Sequence, residues 1–172
     1  MTGRYAIPES GPTAFAVIMV RVATYYWWLW GPLIASALLI GILARELRPL
    51  FLAALIAPVL VLLMGIAMHE SAHLLTFRRL SGRRSSGRLV LSLSGAGIER
   101  PRLAGRVEDA MVSLVGPTFP GATGAVLVAL GEAKHAPLVA LGGALLAAHL
   151  LCLAPWWSDG RAGVKALFSS DS

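Results

Sequence analysis

The 172-residue sequence contains no asparagine and no glutamine. No side-chain amide is therefore on hand for any contact the chain makes. Lysine is nearly missing too, since Arg supplies 13 of the 15 basic residues. Amide-poor, Arg-for-Lys usage of this kind points to a GC-rich bacterial genome. There is one cysteine, Cys152, inside an apolar run. It excludes an intrachain disulfide and reads as a packing residue. Charge is scarce: 14% of residues are charged against 56% hydrophobic, and the mean hydropathy is +0.71. Those values exclude an ordinary soluble globular domain. No cleavable signal peptide is read at the start, because the first thirteen residues carry Arg4, Glu9, two Pro and two Gly, and the apolar run before Arg21 is short.

What is present is a series of apolar runs. They predict an all-α polytopic membrane protein, a single domain over 1–172 with about four transmembrane helices, at 24–44, 50–77, 110–131 and 137–154. Residues 1–13 read as an irregular tail, and 14–20 as an interfacial segment or the lower end of the first span. Tyr25, Tyr26, Trp27, Trp28 and Trp30 form a membrane-interface belt. Gly31-Pro32 and Pro58 predict kinks, Gly116-Pro117 and Pro120-Gly121 interrupt the third span, and 161–168 reads as a short amphipathic helix. The stretch 78–109 is the longest polar one and holds eight Arg. Within it, Leu89 to Ser94, a glycine turn and Ile98-Glu99-Arg100 predict a short β-hairpin.

The excess of positive charge, formally +6, reports topology and contact with the lipid bilayer. Nucleic acid is not an expected partner, because the Arg residues sit beside spans without interleaved aromatics. The positive-inside rule places 78–109 in the cytoplasm of a cell-membrane, multi-pass protein, and four spans then put both termini there as well.

The second run ends in His69-Glu70-Ser71-Ala72-His73. On a helix, residues i and i+4 lie one turn apart on one face, so two imidazoles can take one Zn²⁺. Glu70 stands beside the first ligand, where it can act as general base on a water the metal activates. A plain helix pair of histidines is the alternative. Two His and a Glu at the end of a membrane-length apolar run are costly unless they pair, bind metal or face water. A zinc site needs a third protein ligand, commonly a carboxylate. Near a span end on the cytoplasmic side the candidates are Asp159, Glu108 and Asp109.

Three motifs resemble the site-2 protease family of intramembrane zinc metalloproteases, in its small bacterial branch without a PDZ domain. They are His69-Glu70-Ser71-Ala72-His73, then Ser113-Leu114-Val115-Gly116-Pro117, then Pro155-Trp156-Trp157-Ser158-Asp159-Gly160, over about 50–165. The resemblance implies that His69, His73 and Asp159 bind one zinc ion and that Glu70 is the catalytic base. It implies a membrane-associated sheet at 88–98, to whose edge a membrane-anchored protein substrate adds as a strand. It also puts Gly116 and Pro117 in substrate handling. Two family asparagines are replaced, by Pro120 and Leu151. His149 lies near the second and reads either as a helix-packing histidine or as a substrate contact or alternative ligand. The alternative function is a non-proteolytic zinc-binding membrane protein of the same fold that acts by binding a partner. Oligomeric state is not read from the sequence.

Overall fold

The computed structural model describes residues 2–43, 45–47, 49, 52–82 and 87–168. It is mostly helical, with one small sheet. Strand β1 (Gly3–Ala6) leads into helix α1 (Gly11–Tyr25), which Ser10 caps by accepting from the Thr13 N–H, with Pro12 in its first turn. Ala14, Ile18 and Val22 recur every four residues and are fully buried. They lie on the stripe that packs against helix α3 (Ala57–Ser81), through Val59, Leu63, Ala67 and Leu74. Residues 14–20, read as an interfacial segment or the lower end of the first span, lie in α1 and form a wall of the core.

Helix α2 (Trp27–Leu43) leaves α1 at an angle of 78°. The break falls at Tyr26, not at Gly31-Pro32, and Pro32 stays inside α2. Tyr26 is fixed by its hydroxyl, which donates to the Ser92 carbonyl at 2.7 Å, and by packing against Trp30. A 3₁₀ turn at Arg45–Leu47 and a π-turn at Leu52–Ile56 follow. Pro58 then lies in the first turn of α3, where its missing N–H costs nothing, so the helix begins there and is not kinked. Gly82, at φ 63°, ends α3 in the left-handed conformation.

The hairpin is present as β2 (Arg88–Ser92) and β3 (Gly95–Glu99), but it turns at Leu93-Ser94, and the glycines expected in the turn belong to β3 and pair with β2. It is two strands of three, because β1 pairs antiparallel with β2 in the register Gly3↔Leu91 to Ala6↔Arg88. The expected irregular tail is corrected on this point. Arg78 explains how the tail is held: its guanidinium donates to the carbonyls of Ile7, Pro8 and Glu9. Leu89 and Leu91 point from β2 into the core at period two.

Helix α4 (Arg106–Ala133) runs without interruption through Pro117 and Pro120. Each proline removes one backbone bond, but the flanking turns keep the helix whole. It crosses helix α5 (Pro137–Ala147) closely at Gly124, where a Cβ would lie 2.3 Å from the Ala147 nitrogen. The expected fourth span changes character after Ala147: Ala148–Leu153 is 3₁₀, and helix α6 (Ser158–Phe168) follows a turn. Three helical stretches, Ala57–Ser81, Arg106–Ala133 and Pro137–Phe168, are long and apolar enough to cross a membrane, or four if the bent α1–α2 pair counts as one. About half of the most apolar window of α3 is buried inside the protein, against 11% for Pro137–Phe168. The helix carrying the histidines is therefore the central one.

Candidate metal centre

His69 and His73 lie one turn apart on α3 and are buried, as the spacing predicts. Their Nε2 atoms face each other at 3.1 Å. Asp159, in the first turn of α6, closes the group: its Oδ2 is 3.0 Å from His69 Nε2 and its Oδ1 is 3.5 Å from His73 Nε2. His73 Nδ1 donates to the Val112 carbonyl at 2.6 Å. That bond fixes the tautomer, so Nε2 presents a lone pair to the group. Two imidazole nitrogens and a carboxylate converging this closely need a shared cation, a proton or a metal ion. Ligands about 2.05 Å from a tetrahedral ion stand about 3.3 Å apart. The three separations straddle that value, so the residues fit such an ion.

Asp159 is the carboxylate that meets both histidines. Asp109 is engaged elsewhere, in an ion pair with Arg100 and a bond from the Leu103 N–H. Glu108 folds back over Gly105 at the start of α4. Glu70 is only 5% exposed, and its Oε2 has no hydrogen-bond partner among the described residues. It lines a cavity of about 860 Å³ together with His69, His73 and Asp159. An orphaned carboxylate oxygen at the floor of a cavity is a costly arrangement for packing alone.

Gly116 and Pro117 are buried, and Gly116 packs on His73: a Cβ there would lie 2.2 Å from His73 Nε2. Its place in the structure is to admit the imidazole beneath α4. His149 lines the cavity, with its ring centroid 5.8 Å from that of His69 and its Nδ1 bonded to the Leu146 carbonyl. Gly65 makes room for that ring.

Cys152, read from the sequence as a packing residue, is half-buried and borders the cavity. One donor atom each from His69, Cys152 and Asp159 lies within 4.8 Å of the others, a set that could hold a metal ion. Leu151, the expected counterpart of a family asparagine, is 65% exposed, whereas Cys152 lines the cavity. The signal available in the sequence was its seven-residue spacing from Asp159, which carries meaning only once the intervening turn is known.

Comparison of the chain with known protein families, with curated proteins and with solved structures finds no match.

Proposed function

We propose that the chain is a zinc-dependent intramembrane endopeptidase. It cuts membrane-anchored protein substrates near the cytoplasmic face of a bacterial cell membrane. The observation that carries this reading is the meeting of His69, His73 and Asp159 beside a buried carboxylate, Glu70, that has an unpaired oxygen. A purely structural metal site has no need of such a base.

His69, His73 and Asp159 would hold the ion. Zinc bound there would supply Lewis acidity toward the scissile carbonyl and the attacking water. Glu70 takes the proton from that water and returns it to the leaving amide nitrogen. Val112 keeps His73 in the tautomer the site requires. Residues Leu93 to Ile98 border the cavity, and β3 pairs with β2 along one edge only among the described residues. A substrate strand laid along the other edge would present its peptide bonds in extended form, which a helical segment must unwind to do. The Arg-rich 78–109 segment supports a cytoplasmic placement of this end and of both termini.

The test begins with metal content. Protein purified in detergent is expected to carry one zinc per chain, to lose it in Asp159→Ala and to keep it in His149→Ala. Glu70→Gln is expected to keep zinc and to cut a single-span model substrate about 10² to 10⁴ times more slowly. Cleavage that survives Glu70→Gln, or that proceeds without metal, would sink the proposal.

A second reading is a non-proteolytic zinc-binding membrane protein that acts by binding a partner. Cys152 favours it, since a thiol beside His69 and Asp159 would help to close the site, and a closed site is a structural one. The replacement of two family asparagines by Pro120 and Leu151 points the same way.

A further inference from the structure

We propose that Cys152 is a reversible fourth ligand, a latch in the same chain that closes the metal centre at rest and swings away to open it. The inference rests on the zinc site proposed above and concerns its regulation.

Geometry gives the first argument. A tetrahedral ion held by His69, His73 and Asp159 has one position left. The Cys152 sulfur lies within 4.8 Å of the donor atoms of both His69 and Asp159. Sulfur and nitrogen bound to the same zinc stand about 3.6 Å apart. A small movement of the thiol toward His69 and Asp159 therefore brings it within coordination distance of the ion they would hold.

The second argument is mechanical. Cys152 sits on the 3₁₀ segment Ala148–Leu153, and none of the segment's six residues is fully buried. A short 3₁₀ piece between two α-helices is a common place for a hinge. Its side chains are only partly buried, whereas His69 and His73 are fixed in the central helix.

The third argument comes from Glu70. Its buried Oε2 lacks a hydrogen-bond partner among the described residues, which suits a site that receives a water or substrate atom. A site permanently closed by sulfur would leave that carboxylate with no task. A latch accommodates both features: sulfur holds the fourth position at rest, and water takes it when the segment moves.

The chemistry balances without an oxidant. On closing, the S–H bond breaks, a sulfur–metal bond forms, water leaves the metal, and the thiol proton passes to solvent through the cavity. Opening reverses each change.

Cys152 is the only cysteine in the chain, so any thiol signal belongs to it. The experiment uses full-length protein in detergent, loaded with Co²⁺. Wild-type protein is expected to show a thiolate-to-cobalt charge-transfer band that Cys152→Ser lacks while still binding one cobalt. In zinc-loaded wild type, alkylation of Cys152 by N-ethylmaleimide is expected to slow at least tenfold, and chelation should restore the rate. Acetohydroxamate, a small bidentate metal ligand, is expected to bleach the cobalt band as it displaces the sulfur.

Cobalt bound without the band, or alkylation indifferent to metal, overturns the latch and leaves the three-ligand site standing. A band that persists with acetohydroxamate bound also overturns the latch, because the sulfur is then a fixed structural ligand. Protein that binds no metal in any form overturns the latch together with the proposed function.

Discussion

His73 shows how much rests on a single small neighbour. Its ring is pinned by the Val112 carbonyl on one side and passes beneath Gly116 on the other. Gly116→Ala places a methyl group where the imidazole now lies, so the ring must turn and lose its alignment. Metal affinity is expected to fall about 10- to 100-fold, in the range seen when groups that orient a ligand are lost. Competition against a chromophoric chelator measures it, and unchanged affinity would show that the ring has room the geometry denies it. The two histidines were legible in the sequence because a four-residue spacing on a helix has one meaning. Asp159 was legible as one of three acidic candidates, singled out by resemblance. Cys152 was not, and the reason is winding. The sequence read the run to Ala154 as α-helix, but Ala148–Leu153 is 3₁₀. A 3₁₀ helix turns about 20° more per residue, so by Cys152 the face has rotated by roughly 80°. Leu151 goes outward and Cys152 inward.

At the scale of elements, the sheet depends on a helix. Arg78 lies in the last turn of α3, yet its guanidinium holds the three carbonyls that lead from β1 to α1. The sequence counted it among the cytoplasmic charges. Its burial could not be foreseen, because it follows from the return of a segment some seventy residues away in sequence. Removing the side chain leaves those carbonyls without a charged donor. Arg78→Ala is expected to cost about 2–3 kcal/mol, and Arg78→Lys to recover only part of it, since an ammonium cannot reproduce the planar fork. Hydrogen exchange at Gly3–Ala6 is the direct readout. Faster exchange there, with β2 and β3 still protected, is the expected pattern; uniform protection would show that β1 holds by strand pairing alone. Strand β1 itself was illegible because four residues before a proline carry no pattern of their own. Pairing with β2 makes them a strand. The hairpin and α4, by contrast, were placed within a few residues of their observed bounds, since both carry their own local signals.

For the molecule as a whole, the proposed zinc would tie α3 directly to α6, which otherwise meet through α4, where Gly163 packs on Leu114. His69 and His73 belong to the central helix, and Asp159 to a helix beyond the 3₁₀ turn. A metal bound only by the folded chain stabilises it by mass action, by about 2.7 kcal/mol at a hundredfold excess over the dissociation constant. Chelation is therefore expected to lower the thermal midpoint, zinc to restore it, and Asp159→Ala to be insensitive to both. A midpoint unmoved by chelation would mean that α6 docks without metal. The apolar outer surfaces of α2 and α5 were the most legible feature of all, since composition alone carries them.

The distance in sequence between the histidines and Asp159 also sets an order of events during synthesis. About 86 residues separate His73 from Asp159, and a ribosome adds about 5–20 residues per second. For roughly 4–17 s the nascent chain holds two histidines and a glutamate with no third ligand yet made. Capture of the proposed zinc would thus be a late step, and the growing chain has to shelter three polar side chains until α6 arrives.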